Sequence, residues 1–199
     1  MIHFLQNKFL LPILTSFLFS VNIPLYMEDK EWTFLQDGEI KISWIEHAGF
    51  PFCKATTVFK YPKQEIKVLL EDKENYYKIF DRVEYSHLIT KDIVHIKLDM
   101  PFPFSGRDYI VKYEYSKMNS TEVYKFNATN ELKIKVDEDY VRLIHAAGAW
   151  IISALSDSTT ELTYIWNGEL RGDFPNWALN KAWIEQGNEV LTWLDDALQ

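Results

Sequence analysis

Cys53 is the only cysteine of the chain, so no disulfide can form within it and a thiolate metal site has no second ligand to draw on. No His or Asp stands in a spacing that connects to this thiol, and Cys53 reads as a small buried residue of a strand rather than a nucleophile. Glycine is scarce as well, at 7 of 199 residues, and neither a glycine-rich phosphate loop nor a G-x-S-x-G elbow occurs. His47, His87, His95 and His145 share no metal-ligand spacing with one another or with Cys53, so no metal and no cofactor is expected. The acid pairs Glu71-Asp72 and Asp195-Asp196 are adjacent on helix surfaces, where two carboxylates cannot converge on one bond. Basic residues are outnumbered, 21 to 29, and scattered; the net charge of −8 leaves no basic stripe for phosphates and excludes nucleic acid as a partner. Attraction to an anionic membrane would have to be local.

What the chain has in excess is rings. Aromatic residues make up 16%, with 7 Trp, 11 Tyr and 13 Phe, more ring surface than a compact core of this size needs. That favours an apolar ligand or a large half-buried sheet. The length suits a single domain with one sizeable core.

Residues 1–27 differ from the rest. His3 and Lys8 precede the apolar run from Phe9 to Val21, and no charge returns until Glu28. This is the order of a secretory signal peptide, with Ser20-Val21-Asn22 standing in for a cleavage site, or of an uncleaved membrane anchor. The expected location is therefore exported, periplasmic or secreted, or membrane-tethered. If the segment is instead a helix packed on the domain, the protein is cytoplasmic. The domain is assigned to residues 28–199, with regular structure from Glu31-Trp32.

Ile40, Ile42 and Trp44 alternate with polar residues, and after a turn at His47-Ala48-Gly49 a second β-rich run spans Lys54 to Tyr61. Pro62 opens a helix over Lys63 to Leu70, and a second short helix covers Asn75 to Phe80. From Arg82 the pattern is strands: Val94 to Leu98, Tyr109 to Tyr115, Glu122 to Ala128, Tyr140 to Ala147, Trp150 to Leu155 and Glu161 to Trp166. Neighbouring connections make this one curved antiparallel sheet, an α+β architecture. Asn119 and Asn127 fit the glycosylation pattern but read as turn and strand residues. The segment Pro101 to Asp108 reads as a loop carrying Phe102 and Phe104, packed by its own rings or touching a membrane.

Phe174 to Gln199 forms an amphipathic helix, with Asp173 placed to cap it and Pro175 in its first turn. At about 100° per residue its apolar side spreads over roughly 200°, twice the usual width, so it must be covered on more than one flank. It either lies on a sheet or forms a lid over an apolar cavity. Gly187 inside that sector marks a kink or a close contact.

Trp32 with Asp37-Gly38-Glu39-Ile40, the Pro-x-Pro-x-Ser-x-Arg-Asp element at 101–108, Gly148-Ala149-Trp150-Ile151, and Phe174-Pro175-Asn176-Trp177-Ala178-Leu179-Asn180 together resemble the START domain, the StAR-related lipid-transfer family, over residues 31–199. The resemblance implies a helix-grip fold: a curved antiparallel sheet wrapped around a long C-terminal helix, with two short helices after the second or third strand. It also implies a monomer that binds one lipid or sterol-like ligand in a cavity closed by that helix, for transfer or sensing, with transient membrane contact. Tyr113, Trp150, Tyr164, Trp183 and Val190 are the expected wall. Arg107 and His145 are the candidates for polar contact, although Arg107 reads equally as a partner of Asp108. The acidic residue and arginine found inside some steroid-binding members align with Val94 and Tyr113, and the glycine pair before the final helix is changed to Arg171-Gly172-Asp173. Related helix-grip proteins include cyclases and hydrolases, so an enzyme using His145 or Tyr113 as acid or base is the alternative, although no catalytic constellation is identifiable. A protein-interaction domain is a third reading.

Overall fold

The computed structural model describes residues 21–25, 29–172 and 174–199; residues 1–20, which hold most of the expected signal or anchor segment, residues 26–28 and the proposed Asp173 cap lie outside the described residues. Alternation of side chains produces ten strands in one sheet: β1 (Thr33–Gln36), β2 (Lys41–His47), β3 (Phe50–Phe59), β4 (Val83–Leu88), β5 (Ile93–Leu98), β6 (Gly106–Met118), β7 (Thr121–Ala128), β8 (Tyr140–Arg142), β9 (Ala147–Ala154) and β10 (Thr160–Asn167). Their order is β1-β2-β3-β10-β9-β7-β6-β5-β4, antiparallel throughout except that β8 pairs parallel with β6 off the main path. The helix α1 (Lys63–Glu71) and a 3-10 turn (Lys73–Lys78) fall between β3 and β4, and a second such turn (Asn176–Ala178) leads into the long helix α2 (Leu179–Asp196). This is the curved sheet gripping a terminal helix that the sequence resemblance implies.

One local expectation is corrected. Tyr140 to Ala147 is not one strand: β8 ends at Arg142, and the chain turns through Leu143 to Ala146, with Ala146 N–H bonded to the Leu143 carbonyl, before β9 begins. Residues 21–25, which precede the expected domain start at residue 28, also pack on the sheet. Ile23 is only 7% exposed and packs with Val21 and Leu25 on Trp32, Phe52, Ala147 and Ile165, on the face of the sheet opposite α2.

The β2–β3 hairpin turns at Ala48-Gly49, both in the left-handed region, with φ of 53° and 82°. Gly148 in β9 is needed for a different reason. A Cβ there would lie 2.2 Å from the Ile165 carbonyl oxygen and 2.5 Å from the Phe126 ring.

The broad apolar sector of α2 resolves into two adjacent stripes. Trp183, Gly187, Leu191 and Leu194 are buried and form the first. Gly187 marks a close contact: a Cβ would stand 2.9 Å from Ile42 and 3.2 Å from Ala55. The second stripe, Ala182, Gln186, Val190 and Trp193, faces a hollow between helix and sheet. At 100° per residue the two stripes lie side by side, which explains the doubled width. The flanks of α2 are tied by polar pairs. Gln36 of β1 and Asn188 exchange reciprocal amide bonds at 2.9 and 3.0 Å, and on the other flank Arg82 reaches Glu189 at 2.6 and 2.7 Å.

Candidate functional site

The hollow has a volume of about 450 Å³, within the range of small-molecule sites. Its roof is the second stripe of α2. Its floor is the concave sheet: Ile96 and Leu98 from β5, Tyr109 and Tyr113 from β6, Phe126 from β7, Trp150 from β9, and Tyr164 and Trp166 from β10. Tyr76 and Phe80 close it from the 3-10 turn and the residues that follow it. Phe80, Trp150, Tyr164 and Trp166 run along the wall as a ladder of near-parallel rings, with successive centroids 6.1, 4.2 and 4.9 Å apart. Tyr164 and Trp150 are direct cross-strand partners, so β-sheet register builds the centre of the ladder.

Tyr113, Trp150, Tyr164 and Val190 all line the cavity, as does Arg107. Two expected site residues do not. Trp183 belongs to the sheet-facing stripe, where its ring lies 5.3 Å from Trp44 and its indole N–H donates to the Gly168 carbonyl at 3.0 Å. His145 sits in the turn before β9, half-exposed, against Phe50 at 4.8 Å and bonded to Glu169 at 2.8 Å. Periodicity shows which side a residue faces; it does not show whether that side meets a wall or a space. Val94 is buried in the core and does not line the cavity, whereas Tyr113 does. Tyr76, Tyr109, Phe80 and Trp166 were missed, and their aromatic character within the helical and strand runs was the available signal.

Arg107 and Asp108 are not each other's partners, because successive strand residues point to opposite faces. Arg107, fully buried at the cavity margin, donates through Nε to the Leu170 carbonyl at 2.6 Å and through Nη2 to the Arg171 carbonyl at 3.1 Å. It thereby pins the segment leading into α2. Asp108, on the other face, accepts from Arg142 and from His95 at 2.6 Å. Burial opposes its ionisation, but the bonds from His95 and Arg142 prevail and hold its carboxyl below the usual range. The proline-framed Arg-Asp element therefore ties β6 to the segment before α2 on one face of the sheet and to side chains of β5 and β8 on the other.

Met100, Pro101, Phe104, Leu143, Phe174, Pro175 and Trp177 surround one end of the cavity. The Phe104 and Phe174 rings meet at 4.7 Å, while nearby Phe102 is 97% exposed and Trp177 87% exposed. Arg82, Lys181, Glu185 and Glu189 complete the lining toward α2. Burial raises the hydroxyls of Tyr76, Tyr109, Tyr113 and Tyr164, so they stay neutral at physiological pH. Among the described residues no cluster of His, Cys, Asp and Glu is arranged to hold a metal ion.

A curved sheet closed over an aromatic cavity by a terminal helix defines the START helix-grip fold. A STAR-related lipid transfer protein from Xanthomonas axonopodis superposes with a TM-score of 0.73 at 20% identity, covering 84% of this chain and 98% of that one. Human StAR-related lipid transfer protein 5 gives a TM-score of 0.76 at 13% identity, covering 86% and 88%. An aromatase/cyclase from Streptomyces matches with a TM-score of 0.52 at 16% identity, over 73% and 92%. In sequence, an uncharacterised protein of Pseudomonas aeruginosa is 22% identical over 192 residues, 94% of this chain and 95% of its own length. No family model matches the chain.

Proposed function

We propose that the protein is a carrier or sensor that holds a single hydrophobic ligand in the cavity beneath α2, acting as a monomer. The observation that carries this reading is a space of about 450 Å³ walled by apolar rings and roofed by one face of a helix. Desolvating hydrocarbon there supplies about 0.8 kcal/mol per buried CH₂. Release requires α2 or the loops at its ends to move. Phe102 and Trp177, exposed beside the ring of residues that surrounds one end of the cavity, suit a transient contact with a lipid surface during exchange. The apolar leader is read as export signal or tether, and determining the N-terminal residue of the mature protein tests that. For the ligand, the test is organic extraction of the purified protein followed by mass spectrometry. A stoichiometric lipid is the expected result; a protein that arrives empty and takes up no fluorescent lipid refutes the reading.

The enzymatic alternative draws on the likeness to an aromatase/cyclase. It is weaker, since His145 stands outside the cavity and the Tyr113 hydroxyl is pushed up by burial, away from the neutral range a general base needs.

A further inference from the structure

The polar content of the cavity narrows the guest, on the footing that the carrier reading holds. Tyr76, Tyr109, Tyr113 and Tyr164 bring four phenol hydroxyls to one cavity from the 3-10 turn, β6 and β10. Ionising one would be opposed by others, so they are electrostatic neighbours. Tyr76 donates to the Leu70 carbonyl at 2.6 Å, and its oxygen faces the Tyr113 hydroxyl. The hydroxyls of Tyr109 and Tyr164 have no hydrogen-bond partner among the described residues, yet packing does not seal them. Their open surface faces the cavity they line. Two unspent donors there call for an oxygen acceptor on the guest.

Charge has no counterpart at that depth. Of the lining cations, Arg82 is held by Glu189, Arg107 binds the Leu170 and Arg171 carbonyls, and Lys181 is exposed. Lys73 is not part of the lining; its ammonium lies over the Tyr113 ring, 4.8 Å from the centroid. A carboxylate or phosphate carried inside would thus be desolvated without a partner. Size sets a second limit. At about 30 Å³ per non-hydrogen atom, the spacing of liquid water, 450 Å³ holds roughly 15 such atoms. A single fatty chain fits, with its end at the open side, whereas the two acyl chains of a phospholipid exceed the space.

We infer that the guest is a neutral single-chain lipid bearing a hydroxyl, carbonyl or ester oxygen, which the hydroxyls of Tyr109 and Tyr164 hold. The experiment is displacement of Nile red from the full-length chain by tetradecanol, tetradecanoate, tetradecane and phosphatidylcholine at pH 8. Tetradecanol displaces at a concentration at least about tenfold lower than tetradecanoate, and phosphatidylcholine does not compete. Tyr109→Phe and Tyr164→Phe each raise the tetradecanol concentration required by about fivefold and leave tetradecane unchanged. These variants keep the rings, and an unchanged near-UV circular dichroism spectrum verifies the fold. Equal or better competition by tetradecanoate or phosphatidylcholine, or an unaltered response in both variants, overturns this inference while the carrier reading stands. Failure of the protein to take up Nile red or any of the four probes overturns both.

Discussion

Arg82 stands just before β4 and joins that edge of the sheet to α2, through Glu189 at 2.6 and 2.7 Å and Glu185 at 3.5 Å. If closure of α2 traps the ligand, replacing Arg82 by Gln speeds release. Two unit charges 4 Å apart are worth about 4 kcal/mol at an effective dielectric of 20, before desolvation and side-chain ordering are counted. Exposed pairs return about 0.2–1 kcal/mol in practice. Here the contact with Glu189 is bidentate and the side chains are 27% and 25% exposed, so the upper end applies; Glu185, 51% exposed, adds little. A loss of about 1 kcal/mol on the closed state gives roughly fivefold faster release. Stopped-flow transfer of a fluorescent fatty alcohol to uncharged vesicles measures it. Wild-type release accelerates toward the variant's rate as salt is raised to 1 M, where the screening length falls to about 3 Å, while the variant responds little. The same loss lowers the melting temperature by about 2–4 °C. If melting falls by that amount and the release rate does not change, the pair is a strut and the gating role is refuted.

Gly148→Ala places a methyl group 2.2 Å from a backbone carbonyl that cannot step aside, and is expected to cost more than about 3 kcal/mol in urea unfolding, or to prevent folding. Glu122 lies beneath α1, bonded to Lys63, Lys67 and the Tyr115 hydroxyl; burial opposes its charge, but those bonds take its pKa from 4.5 to about 2. A depressed carboxylate stabilises the fold above its unfolded pKa, so up to about 3 kcal/mol is lost as pH falls from 4.5 toward 2. Glu122→Gln should flatten that part of the pH–stability curve, and an unaltered acid limb would show that the pairing contributes nothing. Ile23→Ala, on the face opposite α2, is expected to cost about 2 kcal/mol by thermal melting; no change would mean that residues 21–25 do not belong to the folded unit.

The grip of sheet on helix was legible because it rests on periodicity. The doubled apolar width of the terminal helix announced two covered flanks, and of the two readings of Gly187, a kink or a close contact, the packing on Ile42 and Ala55 bears out the second. Other features depended on contacts distant in sequence. β1 is four residues long with two of them exposed, too short and too polar to signal a strand. Arg107 and Asp108 look like an ion pair as neighbours in sequence, but strand alternation sends them to opposite faces. That rule was available from the sequence alone. The tyrosine cluster could not be found that way, since Tyr76, Tyr109 and Tyr164 come from three separated segments and meet only once β10 lies between β3 and β9. The same holds for the exchange of Trp183 and His145 for Trp166 and Tyr109 in the lining.

Native mass spectrometry of the intact protein, alongside Val190→Trp, addresses the hollow beneath α2 most directly. Val190 lines the cavity, and an indole ring in its place narrows the space beneath the helix, away from the stripe that packs on the sheet. One hydrophobic adduct per chain in the wild type, lost in the folded variant, is the expected outcome. A spectrum without any adduct, or a variant that keeps it at the wild-type level, would mean that the space beneath the helix holds no guest.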